Sequence, residues 1–182
     1  EWDGYYAYFE AVRTVGRRVP REMAALLGSD GDAEVADAAA QAIGQAGVAG
    51  MDVVDAAWAS FSTAVRARLI DTFGHEGFRH EAPRPRVRDW VVRALDDPAP
   101  RVRLEAASAI RGDDLFDRVV RTWIELLGYE GYVADVAAYR LSQRDAKMLA
   151  PYEAALREAQ PKAKSGARTT VQTILEAIED AR

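Results

Sequence analysis

The chain has 182 residues, 49% of them hydrophobic, and a formal net charge of −5. This apolar fraction is enough for a continuous core, and the abundance of alanine favours helix over sheet. The negative charge argues against a polyanion binder, so any nucleic-acid contact needs a local basic face. The chain has no cysteine, which excludes disulfides, thiolate metal sites and cysteine nucleophiles.

The N-terminal segment predicts a helix with an aromatic stripe. The stripe consists of Trp2, Tyr5, Tyr6, Phe9 and Val12. Stacked helical repeats need terminal elements that cover the first apolar face. We therefore interpret residues 1–31 as an N-terminal capping helix pair, with a peptide-binding aromatic patch as the alternative.

One short template recurs along the rest of the chain. Its clearest copy, residues 102–110, reads Val-Arg, two free positions, two small or apolar residues, one free position and two more. Further copies begin at Val35, Val65, Val133 and Ala167, so the starts are 30, 37, 31 and 34 residues apart. Spacings of this size are typical of helical repeats.

A second apolar helix is predicted after each of the first four copies. These helices are Met51–Phe61, Arg86–Leu95, Leu115–Leu127 and Ala146–Ala159, with apolar residues that recur at helical spacing. Glycines are predicted to follow the helix ends, at Gly28, Gly44, Gly74, Gly112 and Gly128. No alternating run is long enough to predict a strand.

The sequence Asp96-Asp97-Pro98, followed by Val-Arg and paired alanines, resembles HEAT and HEAT-like repeats. The resemblance implies an all-α fold, an α-solenoid of about five antiparallel helix pairs wound into a superhelix. It implies a single array, with repeats that begin near residues 32, 62, 98 and 130. Residues 165–182 then form a C-terminal capping or unpaired helix.

The resemblance also implies a pairing between an aspartate before the first helix and an arginine inside it. Asp97, Arg66 and Arg103 match those positions. Ala36 and Ala134 stand where two copies lack the arginine, so we expect a broken ladder.

Both histidines of the chain lie in one segment, as two His-Glu dipeptides. The HEAT-repeat hydroxylase that modifies deoxyhypusine holds two irons with such dipeptides, which implies a candidate metal site. Its residues are His75, Glu76, His80 and Glu81. In that family the dipeptides recur one per repeat on helices, whereas these lie five residues apart and near Pro83. The spacing also differs from the zincin pattern. We therefore favour a solvated loop and expect no cofactor.

The second helices also predict a polar stripe. In solenoids these helices line the concave face, so we expect the stripe to contact a partner; a solvated face of mixed charge is the alternative. Its members are Arg86, Asp89 and Arg93 in one helix and Arg118, Arg121, Thr122 and Glu125 in the next.

These patterns favour a non-enzymatic scaffold or adaptor that binds a protein or peptide on its concave face. The first alternative is a HEAT-like DNA-binding protein or alkylpurine-type DNA glycosylase, with Trp90, Trp123 and Glu125 as candidate site residues. The net charge disfavours this alternative, and both tryptophans fit the buried stripes of their helices better.

The second alternative is the metal-binding loop. No phosphate-binding loop or nucleophile elbow is present. No apolar run is long enough for a membrane span, and a cytoplasmic location is the default expectation. We also expect a bacterial protein.

Overall fold

A computed structural model of the chain describes Thr14 and residues 24–27, 33–75, 84–110 and 113–182. All regular secondary structure in these residues is helical, which confirms the all-α part of the predicted fold class. The chain divides into two compact units, residues 1–96 and 97–182. The predicted aromatic stripe of the N-terminal segment lies outside the described residues. In the described ranges, no helix is both long and apolar enough to cross a membrane.

The described part of the N-terminal unit contains four longer helices. They are α1 (Ala33–Gln45), α2 (Val48–Ala57), α3 (Thr63–His75) and α4 (Arg84–Ala94), and a 3₁₀ turn at Trp58–Ser60 extends α2. Helix α1 packs against α2 and α3, and α3 packs against α4. In this unit α1 and α3 therefore each contact the helix that follows them, and they also contact each other.

Aromatic residues and small residues build the core of this unit. The Trp90 ring meets the rings of Trp58 and Phe73 edge to face, with centroids 4.7 and 5.1 Å apart. At the α1–α2 contact, a Cβ on Gly50 would lie 2.0 Å from the carbonyl oxygen of Ile43. Because no side chain fits there, glycine is what lets α2 approach α1.

The described residues of the C-terminal unit, 97–110 and 113–182, form six helices and two 3₁₀ turns. They are α5 (Pro100–Ala109), a turn at Asp113–Leu115, α6 (Phe116–Leu126), α7 (Tyr132–Ser142), α8 (Ala146–Leu149), a turn at Ala150–Tyr152, α9 (Glu153–Ala159) and α10 (Ser165–Asp180). The continuous helix predicted for residues 146–159 is thus broken into three pieces. Pro151 lies in the middle piece, where it has no N–H to continue an α-helix.

The helices of this unit pack both on the next helix along the chain and on helices further along it. Helix α6 packs against α5 and α7, α7 against α5 and α10, and α9 against α6 and α10. The core contains the fully buried side chains Leu104, Trp123, Leu141 and Leu156. The exposed side of α10 is polar, with Thr169, Gln172, Thr173, Glu176 and Asp180. That the last helix caps a stack stays a prediction.

Two of the glycines predicted to follow helix ends lie inside helices instead. Helix α1 continues to Gln45, past the buried Gly44, and α3 continues to His75, past Gly74. Packing of the apolar face decides where these helices end, and it overrides the weak preference of glycine. Gly128 does follow the end of α6, where its N–H donates to the carbonyl of Glu125.

The arginine of the repeated template has the same structural role wherever it occurs. Arg66, Arg103 and Arg168 each donate to the carbonyl five residues earlier, at 2.8, 3.3 and 3.0 Å. The guanidinium thus ties the first turn of each helix to the connection before it. Arg103 also donates to the carbonyl of Asp97 at 3.0 Å, while the Asp97 carboxylate accepts from the Ala99 N–H. The backbone carbonyl of Asp97 is therefore one point at which Arg103 is linked to the connection before its helix.

Candidate functional site

In the N-terminal unit, two of the predicted stripe residues bridge the two second helices. Arg86 on α4 donates to Asp52 at 2.6 Å and to Asp55 at 2.7 Å, both on α2. These hydrogen bonds raise the pKa of Arg86 above its ordinary value, and the bond to Asp55 has the larger effect. Arg93 lies 3.6 Å from Asp55, and Asp89 is exposed. Ion pairs therefore cross the seam between α2 and α4, by which we mean the surface between these two helices.

In the C-terminal unit, Arg121 is held on its own helix. Its Nε donates to both carboxylate oxygens of Asp117, at 3.0 and 2.9 Å, and its guanidinium lies 5.8 Å from the ring centroid of Tyr152. The Arg121 hydrogen bond holds the pKa of Asp117 below its ordinary value, and Asp117 raises the pKa of Arg121. Burial is the main cause that raises the pKa of Tyr152, and the 3.2 Å hydrogen bond that its hydroxyl donates to Asp117 raises this pKa further.

The other predicted members of the stripe have different environments. Thr122 is buried, and its hydroxyl donates to the carbonyl of Arg118 at 2.8 Å, so it does not belong to an exposed face. A threonine hydroxyl that bonds back to the preceding turn can be buried in a helix at little cost. Arg118 is half-buried. Glu125 is exposed and accepts a 3.0 Å hydrogen bond from Arg103.

A groove of about 330 Å³ opens between α6 and α9. It is lined by Arg121, Ile124, Glu125, Gly128, Ala155, Glu158, Ala159 and Lys162. Ile124 and Ala159 are buried and form its floor, whereas the four charged side chains are exposed. The groove brings together two residues of the predicted stripe, Arg121 and Glu125.

The sequence interpretation missed the wall that α9 contributes. Glu158 and Lys162 are four residues apart and form a 3.0 Å ion pair, with Ala155 and Ala159 beside them. The corresponding signal in the sequence is a pair of opposite charges four residues apart, beside two alanines, which begins in the last turn of α9 and ends in the turn after it. Apolar periodicity predicts the buried side of a helix and gives no weight to such a pair.

The candidates for the other functions are placed as follows. Trp90 and Trp123 are 4% and 0% exposed, so their predicted role in the core is confirmed. The side chain of His75, with Glu76, His80 and Glu81, lies outside the described residues. Within the described ranges, no group of three or more histidine, aspartate or glutamate side chains is placed to hold a metal ion.

Comparisons of the chain with models of protein families, with curated proteins and with solved structures found no match. The chemistry of the α6–α9 groove is therefore the basis for the functional conclusion.

Proposed function

We propose that the chain is a HEAT-like helical repeat protein that acts as a non-enzymatic adaptor and binds a segment of another protein. The α6–α9 groove is the proposed contact surface. The observation that supports this most directly is that Arg121 and Glu125, both expected to contact a partner, line one groove with a small apolar floor.

The repeat interpretation is supported by the shared role of the template arginine in three copies. Helices α1, α3, α5, α7 and α10 also begin at 33, 63, 100, 132 and 165, each near the start of a copy. Side chains that recur in sequence and in function indicate repeated structural units.

The chemistry of the groove favours a protein segment as its ligand. Its floor of Ile124, Ala155 and Ala159 accepts an apolar stem, and its rim carries two cations and two carboxylates. A small apolar centre with a polar rim is typical of protein interfaces. The lining residues include no histidine, cysteine, serine or threonine, so the groove offers no nucleophile of those types.

The nucleic-acid alternative has less support. Arg86 is paired with two carboxylates, and Arg121 is bound through both oxygens of Asp117. Because phosphate affinity comes mainly from cations that are free to neutralise it, these pairs weaken any such contact. We expect no duplex binding in a titration at low salt, and strong binding that falls with salt would restore this alternative.

A photo-crosslinking experiment tests the proposed contact surface. A benzophenone amino acid is placed at Glu158 in the groove or, as a control, at the exposed Lys147 on α8. In extract of the source cells, we expect one protein to crosslink at position 158 and not at position 147. Charge reversals Arg121→Glu and Lys162→Glu should weaken that crosslink.

The matched control is Arg140→Glu, since Arg140 is an exposed arginine on α7 that does not line the groove. It should leave the crosslink unchanged, and all three variants should keep the helical circular dichroism spectrum. Crosslinking that is equal at positions 147 and 158, or that survives both groove reversals, would contradict the proposal.

A further inference from the structure

The charged side chains that line the α6–α9 groove differ in what they can still bind. Glu125 accepts a hydrogen bond from Arg103 at 3.0 Å, and Glu158 is paired with Lys162 at 3.0 Å. Both carboxylates of the lining are therefore engaged by cations of the chain itself, which lowers the gain from any further cation. What the groove offers a ligand is decided instead by its hydrogen-bond donors.

Arg121 has donors that are not used within the described part of the chain. Its Nε donates to both carboxylate oxygens of Asp117, at 3.0 and 2.9 Å, and its two η nitrogens have no hydrogen-bond partner among the described residues. The side chain is 67% exposed and lines the groove. The edge formed by two η nitrogens matches a planar carboxylate, which it binds through two parallel hydrogen bonds.

The guanidinium of Arg121 is also held in place before any ligand binds. Asp117 fixes it through Nε, and the Tyr152 hydroxyl donates to the same carboxylate at 3.2 Å. The Tyr152 ring centroid lies 5.8 Å from the guanidinium carbon, and Tyr152 is itself buried. A guanidinium that is already oriented loses less side-chain entropy on binding, so more of the hydrogen-bond energy contributes to affinity.

The rest of the groove suits a segment in which an acidic residue neighbours an apolar one. The floor of Ile124, Ala155 and Ala159 accepts the apolar side chain. Lys162 compensates the charge of Glu158, so an incoming carboxylate meets no uncompensated charge on the α9 wall. The net charge of −5 opposes attraction at long range, and the contact therefore depends on the short-range geometry of Arg121.

We propose that the α6–α9 groove recognises an aspartate or glutamate of the partner segment, whose carboxylate is bound by the two η nitrogens of Arg121. This inference rests on the proposed function and names the residue that determines its specificity. Both charge reversals of the crosslinking experiment repel such a ligand, because Arg121→Glu removes the donors and Lys162→Glu leaves Glu158 uncompensated. Duplex DNA is a different case, since its binding needs many free cations and not one guanidinium.

A peptide titration followed by ¹⁵N NMR of the full 182-residue chain tests the inference. The probes are the capped peptides Gly-Leu-Glu-Leu-Gly and Gly-Leu-Gln-Leu-Gly, at millimolar concentration. With the glutamate peptide, we expect saturable shifts of the Arg121 Nε–H signal and of the amides of Ile124, Ala155 and Ala159. Glutamine has the same shape without the charge, so its peptide should bind about ten-fold more weakly, because the charge-assisted hydrogen bonds are lost.

Three variants sharpen the test. Arg121→Gln should remove the preference for the glutamate peptide. Arg121→Lys keeps the charge but lacks the planar group, so it should keep less than the full preference. Arg140→Gln, at an exposed arginine of α7 that does not line the groove, should leave both affinities unchanged. Because Arg121 and Arg140 are both exposed, all three variants should keep the helical circular dichroism spectrum of the parent.

Other outcomes would overturn the inference. Equal affinity for the glutamate and glutamine peptides would mean that the groove takes peptides without reading a carboxylate, which leaves the proposed function intact. A preference that survives in Arg121→Gln would place the carboxylate at another cation, and a full preference in Arg121→Lys would contradict recognition by a planar group. An absence of shifts in the groove with both peptides would overturn the carboxylate site, while the crosslink at position 158 separately decides the proposed function.

Discussion

The second helices of the two units use their charges differently. In the N-terminal unit, Arg86 on α4 pairs with Asp52 and Asp55 on the neighbouring α2. In the C-terminal unit, Arg121 pairs with Asp117 on its own helix, four residues away. Lys162 likewise pairs with Glu158, four residues before it. The seam between α2 and α4 is thus crossed by ion pairs, while a groove stays open between α6 and α9.

Whether an ion pair joins two helices or two residues close in the chain therefore affects the exposure of the surface between the helices more than it affects the free energy of unfolding. Exposed ion pairs contribute about 0.2–1 kcal/mol whether they lie within one helix or between two. A pair between helices, however, covers the seam that it spans. A pair between residues four apart in the chain leaves the surface between α6 and α9 open above small residues such as Ala155 and Ala159.

The largest effect is expected at the close contact between α1 and α2 in the N-terminal unit. Gly50→Ala places a Cβ 2.0 Å from the Ile43 carbonyl oxygen, so α2 must move away from α1. Overpacking of this kind costs about 3 kcal/mol. Chemical denaturation followed by circular dichroism should show an early loss of helix, and hydrogen exchange should assign that loss to α1 and α2.

The matched control is a glycine in a helix of the C-terminal unit. A Cβ on Gly166 would lie 3.6 Å from an Asp135 carboxylate oxygen, which is an ordinary contact. Gly166→Ala should therefore be neutral or gain up to about 1 kcal/mol from helix propensity. Similar stability of the two alanine variants would mean that α1 and α2 do not approach as closely as described.

The second prediction concerns the template arginine. Arg103→Met removes a guanidinium that donates to the Asp97 carbonyl and to Glu125, and it leaves the buried carbonyl without this donor. We expect a loss of about 2 kcal/mol in the free energy of unfolding. Arg168→Met removes the same link at an exposed position and should cost about 0.5–1 kcal/mol. Equal losses would contradict a special role for burial at Arg103.

Sequence periodicity predicted the following helices well because each carries its own apolar spacing. The helices that begin at Ala33, Thr63, Pro100, Tyr132 and Ser165 all follow the template. Boundaries were harder, since tertiary packing carries α1 past Gly44. Pro151 was the local signal for the break between α8 and α9, and apolar periodicity alone hid it.

The candidate site was harder to predict because charge pairing is set by geometry between helices. Arg86 and Arg121 look alike in sequence, yet one crosses to α2 and the other stays on α6. Thr122 shows a further limit, because a hydroxyl that bonds back to Arg118 is polar in sequence and buried in structure. The wall that α9 contributes to the groove exists only because α9 and α6, two separate segments, lie side by side. Periodicity within one segment does not predict which other segment it packs on.

A third, smaller effect tests the closed seam. Arg86→Gln removes both pairs to α2 and should lower the free energy of unfolding by about 0.5 kcal/mol, less at high salt. Amides of α2 should exchange faster than in the parent, while those of α6 stay unchanged. Arg84→Gln, at an exposed arginine in the first turn of α4, is the control. A loss that salt does not reduce would mean that Arg86 acts through packing instead of charge.

The smallest effect is a pH dependence on the open side of the comparison. The pKa of Asp117 is lowered in the folded chain, chiefly by the Arg121 hydrogen bond. The folded state therefore favours the ionised carboxylate. This contribution is present above the pKa of the unfolded chain, ordinarily 3.8, and is lost as the pH falls through the lower pKa of the folded chain. Thermal unfolding midpoints of the parent and of Asp117→Asn should differ at pH 6 and converge towards pH 2.

The control is Asp180→Asn, at an exposed carboxylate of α10, whose unfolding midpoint should run parallel to that of the parent at every pH. Convergence in the Asp180 variant as well would assign the effect to the general charge of the chain, whereas convergence confined to Asp117 would show that Arg121 is held on its own helix and away from the seam.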